Sequence, residues 1–116
     1  MLLFTRPLTQ NHEFRRLYYR GKCASCAALA VYCLKNKLGY NRLGLTVGSK
    51  LGCAVVRNRT RRRLRECYRL HERELKAGYD IVIVARNRAV TDGYAAIERD
   101  LCAGLARLGI LTSSSQ

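Results

Sequence analysis

The fold turns on Ala54-Val-Val-Arg-Asn-Arg-Thr-Arg-Arg-Arg-Leu-Arg-Glu-Cys-Tyr-Arg-Leu-His-Glu-Arg-Glu-Leu-Lys76 and on Tyr79-Asp-Ile-Val-Ile-Val-Ala85, which follows it after Ala77-Gly78. Wound at about 100° per residue, the first stretch puts Leu64, Cys67, Tyr68, His71 and Leu75 on one face, with Thr60 at the N-terminal end of that face. It predicts a helix from about Ala54 to Lys76 with one buried side. The second stretch is apolar without alternation, the pattern of a strand covered on both faces at the centre of a sheet. A helix that delivers the chain to such a strand makes an α/β sandwich the expected class.

Upstream, Cys26-Ala-Ala-Leu-Ala-Val-Tyr-Cys-Leu34 and Arg42-Leu-Gly-Leu-Thr-Val47 read as strands, joined as a hairpin through the Lys- and Gly-bearing turn Lys35 to Asn41. A further short strand fits near Gly21 to Ala24. A first helix runs to about Arg20, capped by Thr9 or Asn11, with Glu13 in its first turn and Gly21 in the left-handed position after its end. Downstream, Tyr94, Ile97, Leu101, Leu105 and Leu108 recur at three- and four-residue steps, a last amphipathic helix capped by Thr91. Residues 1–111 make one domain, and Thr112-Ser-Ser-Ser-Gln116 reads as a disordered tail.

The chain of 116 residues carries 22 Lys and Arg against 8 Asp and Glu, a formal charge of +14, while 48% of its residues are apolar. That much apolar material builds a core, so the charge sits on a folded surface rather than on a basic tail. Such a surface repels copies of itself unless a polyanion is its partner. A membrane surface fits poorly, because the chain has no Trp and two Phe to fill the apolar face of a membrane-lying helix. Among the cations 17 are Arg and 5 are Lys, and the planar guanidinium holds phosphate in two places and stacks on bases. Nucleic acid is therefore the expected partner. No secretory pattern opens the chain, so the expected location is cytoplasmic. Six cysteines, at 23, 26, 33, 53, 67 and 102, read mainly as packing residues; Cys23-Ala-Ser-Cys26 has the spacing of a metal or redox pair but no second pair or nearby His completes a zinc set.

From residue 57 to 73 eight Arg stand against Glu66 and Glu72. Arg61, Arg65, Arg69 and Arg73 follow at steps of four and form one row beside the buried face, with Asn58 and Arg62 in the same sector; Arg57, Arg59 and Arg63 extend the charge around the first turns. Like charges at this spacing destabilise a helix, so an anionic partner is needed to complete it. The unpaired N–H groups of the first helical turn add to the same field, and phosphate is the natural ligand.

Gly44-Leu-Thr-Val-Gly-Ser-Lys-Leu-Gly-Cys-Ala-Val-Val-Arg-Asn-Arg-Thr-Arg-Arg-Arg-Leu-Arg-Glu66 resembles the signature of the bacterial ribonuclease P protein subunit, G-L-x-V-S-K-K-x-G-x-A-V-x-R-N-R-x-K-R-x-x-R-E. The early Phe14-xxx-Tyr18 helix, the Tyr32 strand, Tyr79 to Ala85 followed by Arg86, and the last helix extend the resemblance over nearly the whole chain. Gly48 and Ser49 depart from the family's Ser and Lys. The resemblance implies an α-β-β-β-α-β-α order with a four-stranded sheet and a left-handed β-α-β crossover, like the second domain of a small-subunit ribosomal protein. It implies a subunit that assists Mg2+-dependent removal of the 5′ leader from precursor tRNA, with catalysis and most of the Mg2+ in the RNA subunit and no cofactor bound tightly by this chain. On this basis Arg57, Asn58, Arg59, Arg61, Arg62, Arg65 and Arg69 are expected to meet the catalytic RNA.

Strand parity points to a second surface. Ala28, Ala30 and Tyr32 share one face, as do Arg42, Gly44 and Thr46, whereas the alternate positions Leu29, Val31, Cys33, Leu43, Leu45 and Val47 are core-like. If the first helix borders the small-residue face, Phe14 and Tyr18 join Tyr32 around a trough that suits a single RNA strand. The family's leader cleft implies Phe14, Tyr18, Tyr32, Lys50, Arg61 and Arg65 there. The alternatives are a ribosomal or other structural RNA-binding protein, which needs the arginine helix but not the trough, and a redox enzyme built on Cys23 and Cys26. His71, on the apolar helix face, reads as a core histidine. The sequence leaves oligomeric state and any metal-ligating residue open.

Overall fold

The computed structural model describes residues 5–111, so the expected tail lies outside the described residues. The chain runs β1 (Thr5–Pro7), α1 (Asn11–Arg20), β2 (Lys22–Ser25), β3 (Leu29–Lys35), β4 (Asn41–Thr46), α2 (Ala54–His71), β5 (Tyr79–Ala85), α3 (Asn87–Thr91) and α4 (Tyr94–Arg107). The expected order is present, with β1 added at the front and the short helix α3 inserted before the last helix.

The strands form one five-stranded sheet ordered β1-β4-β5-β3-β2. It has one strand more than the expected four because Thr5–Pro7 pairs in parallel with β4. The expected hairpin of β3 and β4 does not form: β5 lies between them, antiparallel to β3 and parallel to β4. Ile81, Val82 and Ile83 are fully buried, and a strand apolar on both faces gains most from the central position. Helix α2 thus makes the crossover between the parallel pair β4 and β5.

Helices α2 and α4 cover one face of the sheet, where Leu29, Val31, Leu43, Ile81 and Ile83 meet Leu64, Tyr68, Ile97 and Leu101. Helix α1 crosses the other face, where Leu17 is sealed against Val82 and Leu8, flanked by Phe14, Tyr32, Leu34 and Val84. Parity assigned the two faces within β3 and β4, but Ala28, expected beside Ala30 and Tyr32, precedes β3 and lies in the core under α4, its N–H donating to Asp100 at 2.8 Å.

Four helix ends differ from expectation. The N-cap of α1 is Gln10, whose backbone N–H donates to Glu13 Oε1 at 3.3 Å. Gly21 is extended, φ −74°, not left-handed. It is glycine for space, since a Cβ there would lie 2.6 Å from the Leu17 carbonyl oxygen and 2.8 Å from that of Cys33. Helix α2 stops at His71, and a 3-10 turn over Glu72–Glu74 leads to an antiparallel bridge of Leu75 with Leu111. Thr91 closes α3, and Gly93, at φ 84°, caps α4 instead.

Candidate nucleic-acid interface

Helix α2 is fixed by Thr60, Leu64, Cys67 and Tyr68, all buried. Tyr68 is completely sealed, with its hydroxyl 2.9 Å from Thr5 Oγ1, and burial pushes its phenol up to about 12. With this face held inward, the arginines spread around the remaining arc in three settings. Arg61 and Arg65 lean over the sheet and wall a groove of about 500 Å3, whose other sides are Phe14, Leu8 and Gly44. Arg59 and Arg62 are exposed to solvent. Arg57 is half-buried, and its Nε is buried without a hydrogen-bond partner among the described residues.

The row expected at steps of four is broken. Arg69 is turned back on Glu66 through two bonds, Nε to Oε1 at 3.0 Å and an NH2 bond to Oε2 at 2.6 Å. That pairing raises the Arg69 guanidinium and holds the Glu66 carboxyl below its ordinary range. Arg73 lies past the end of α2, on the 3-10 turn. Asn58 Oδ1 accepts a hydrogen bond from Arg61 at 3.1 Å, so Asn58 orients an arginine of the groove wall.

The opposite wall is α1. The Phe14 ring is seated against Gly44, where a Cβ would come within 2.5 Å of Phe14 Cζ; the small residue on β4 is what lets the ring approach the sheet so closely. Tyr18 meets Tyr32 edge-on at 5.0 Å and 77°, and its hydroxyl is 2.8 Å from Thr46 Oγ1. The groove continues between α1 and α2 as a depression of about 430 Å3 walled by Phe14, Arg15, Tyr18 and Arg61 over Thr46 and Val47. Tyr32 stands behind Tyr18 rather than in the groove. Burial raises the Tyr32 phenol, and a hydrogen bond with Cys23 on the neighbouring strand raises it further. Lys50 sits on an exposed 3-10 turn, Ser49–Leu51, and is not among the residues that wall the groove.

Sequence reasoning missed the group that holds α1 in place. Arg42 donates to both carboxylate oxygens of Asp80 at 2.8 and 2.7 Å and to Glu13 of α1 at 2.6 Å. Asn36 adds a bond to Asp80 at 2.9 Å, and Arg16 approaches it at 3.7 Å. The Asp80 side chain is 1% exposed. Burial acts to raise its carboxyl, but the bonds from Arg42 and Asn36 outweigh that and hold it below the ordinary range, while Arg42 is raised. The sequence signal was a lone carboxylate in an otherwise apolar central strand, which requires a cation beside it. Arg15 was missed because a ten-residue helix does not reveal which flank faces the groove.

All six cysteines are free: Cys33 and Cys67 buried, Cys26 and Cys102 partly so, Cys23 and Cys53 exposed. Cys53 occupies the N-cap of α2. The backbone N–H groups of Val56 and Val55 pull its thiol below the ordinary value, a local reading of the positive field expected at this end of the helix. His71 is partly exposed, between Glu74 at 3.1 Å and Glu98 at 3.2 Å. Burial disfavours its charged form, but the two carboxylates prevail and raise it. Among the described residues no group of three or more His, Cys, Asp or Glu is placed to hold a metal ion, and no helix is long and apolar enough to cross a membrane.

A family model described as Ribonuclease P matches residues 4–109. The chain is 38% identical over 107 residues to the ribonuclease P protein component of Alkaliphilus oremlandii, covering 92% of this chain and 94% of that protein. It is 42% identical over 104 residues to that of Clostridium botulinum strain 657, covering 89% and 94%. Among solved structures, the RNase P protein of Staphylococcus aureus superposes with a TM-score of 0.83 at 30% identity, over 90% of this chain and 96% of that one. The RNase P protein of Thermotoga maritima superposes with a TM-score of 0.76 at 26% identity, over 84% and 93%.

Proposed function

The chain belongs to the ribonuclease P protein family, and from that premise we propose that its two cationic surfaces divide the work of a tRNA-processing ribonucleoprotein. The solvent-facing arginines of α2, Arg59 and Arg62 with Arg57 at the N-terminal end, hold phosphates of the catalytic RNA. The groove between α1 and α2 holds the single-stranded 5′ leader of precursor tRNA. The observation that carries this reading is the pairing of an aromatic wall, Phe14 and Tyr18, with a guanidinium wall, Arg61 and Arg65, across a floor kept low by Gly44. Unpaired bases stack on the rings while phosphates meet the arginines, and a helical duplex offers no free base face to the rings.

Hydrolysis of the phosphodiester is assigned to the RNA subunit. The walls of the groove are cationic, and guanidinium groups bind phosphate but cannot ligate Mg2+, which takes oxygen donors. The donor set therefore does not fit a resident divalent ion, and metal enters the assembly through RNA. The protein's share is to raise affinity for substrates that carry a leader, in the cytoplasm where precursor tRNA is made.

The test compares precursor tRNA bearing a leader of several nucleotides with mature tRNA, both bound to the assembled holoenzyme. Tyr18→Ala weakens the first by about 1 to 3 kcal/mol, the worth of one stacked base, and leaves the second nearly unchanged. Tyr32→Ala acts in the same direction by removing the ring that meets Tyr18 edge-on. Equal losses for both substrates reject the leader site and leave the rings a role in the fold or in RNA assembly.

A further inference from the structure

The outer face of α1 carries Arg20 and the ring of Tyr19, which neither surface described above uses, beside Arg15 of the groove wall and Arg16 of the Asp80 cluster. His12, Arg15, Arg16 and Tyr19 fall at the spacing of one helix face, its edges reaching the groove through Arg15 and Asp80 through Arg16. Tyr19 is 93% exposed, although a ring of that size ordinarily gains from burial. With Arg20 and Tyr18 these residues border a shallow depression of about 540 Å3. Glu13, the one carboxylate of α1, is already engaged by Arg42 at 2.6 Å. Arg15 and Arg20 make no side-chain hydrogen bond or ion pair among the described residues, and Arg16 keeps only its 3.7 Å approach to Asp80 with its side chain 46% exposed. The face is therefore cationic, compensated only at Arg16, and topped by an open π surface.

It is also continuous with its surroundings. The groove and the outer depression share Arg15 and Tyr18 as a common rim. On the far side, Arg16 and Arg20 also border a depression of about 400 Å3 against Leu34, Lys35, Asn36 and Lys37. A strand leaving the groove over Tyr18 meets Tyr19 next and then the cations of α1 and of the end of β3 and the turn beyond it, with no carboxylate among the described residues bordering either depression.

We propose that the outer face of α1 is a second single-stranded RNA subsite, a track on which the part of an unpaired overhang too long for the groove lies, stacking a base on Tyr19 and placing phosphates on Arg16, Arg20 and Lys35. The assignment rests on the reading of the groove as a site for single-stranded RNA. Charge complementarity selects a polyanion, and the exposed ring beside arginines selects one with unpaired bases over a duplex or a free phosphate.

The experiment uses the full chain and fluorescence anisotropy with unstructured oligouridylates of about four and about twelve nucleotides, lengths that bracket one compact binding site. Tyr19→Ala lowers affinity for the long oligomer about fivefold or more, the low end of one stack's worth, and leaves the short one unchanged; Tyr19→Phe restores it. Arg20→Gln with Lys35→Gln reduces the magnitude of the long oligomer's log-affinity against log-salt slope by about 1.4, the share of two single-strand phosphates, without changing the short oligomer's slope. Unchanged affinity of the long oligomer in Tyr19→Ala overturns the track, as does an equal loss for both lengths. So does an effect seen only when the ribonuclease P RNA is added, which transfers this face to subunit assembly. Tyr18→Ala run in parallel separates the two ideas: if it leaves both lengths unaffected, the groove reading fails independently of Tyr19.

Discussion

Replacing Arg42 by Met removes the cation from a carboxylate with 1% side-chain exposure and leaves the aliphatic volume largely in place. Breaking a buried ion pair on one side costs about 3 to 5 kcal/mol. Asn36 at 2.9 Å and Arg16 at 3.7 Å still face Asp80, which places the loss near about 3 kcal/mol. With an unfolding entropy of about 2.1 cal/mol/K per residue, a domain of this size loses about 12 to 15 °C in Tm. Thermal melts followed by circular dichroism at neutral pH read this directly, and their pH dependence identifies the cause. In the wild type the folded Asp80 carboxyl lies below its ordinary value of 3.8. Its contribution is therefore present above that value and lost as pH falls through the folded value. In Arg42→Met burial is no longer opposed by Arg42, the Asp80 carboxyl rises, and protonation relieves the unpaired charge. The deficit against wild type is thus largest near neutrality, begins to shrink as the pH falls through the raised carboxyl value of the variant, and is smallest once the pH is below the lowered wild-type value. Adding Asp80→Asn to Arg42→Met recovers much of the loss at neutral pH. A Tm change of less than about 3 °C, or a deficit that stays constant as the pH is lowered, refutes the view that a buried charge pair anchors α1 to the sheet.

Arg57→Ala with Arg59→Ala weakens assembly with the catalytic RNA and reduces the magnitude of its log-affinity against log-salt slope by about 0.7 to 0.9 for each phosphate the helix no longer holds; an unchanged slope in a salt titration removes these residues from the RNA interface. Gly44→Ala puts a Cβ within 2.5 Å of Phe14 Cζ, so the ring leaves the groove floor; overpacking costs about 1 to 3 kcal/mol in chemical denaturation, and leader-dependent tRNA affinity falls with it, whereas wild-type affinity would show that the ring's seat is irrelevant to binding. His71, raised above 6.5 between Glu74 and Glu98, contributes stability that is complete below its unfolded value and lost as pH rises through the folded one. Both carboxylates are 45% exposed, so His71→Gln costs less than about 1 kcal/mol below pH 6.5. Proton NMR reads the imidazole directly, and a titration midpoint at or below 6.5 contradicts its pairing with two carboxylates.

Local sequence carried what local forces decide. The unbroken apolar run of β5 and the 3.6-residue spacing of Leu64, Cys67 and Tyr68 marked a buried central strand and an amphipathic helix, and parity sorted the faces of β3 and β4, because side-chain periodicity is a property of the backbone itself. The signature around Arg57, Asn58 and Arg59 located the cationic helix. Its charge excess pointed to a polyanion without any knowledge of the fold, since no arrangement of two glutamates neutralises eight arginines. What the chain does with strands once formed was not legible in this way. Lys35 to Asn41 looked like a hairpin turn, but pairing is decided by which strand gains most from the sheet's centre, and β5, about forty residues downstream, takes the place between β3 and β4. The same distance hid the Arg42–Asp80 pair, 38 residues apart, and with it the reason α1 lies across the sheet. Gly21 turned out to be required by two carbonyl oxygens from different elements, not by its dihedral angles. The groove divides likewise: its residue types were readable in sequence, but that Arg61, Arg65 and Arg15 face it, while Lys50 stands apart and Arg69 is tied to Glu66, follows from the rotation of two helices about their axes. The burial of Leu17 and the Arg42–Glu13 pair on one, and of Thr60, Leu64, Cys67 and Tyr68 on the other, set that rotation.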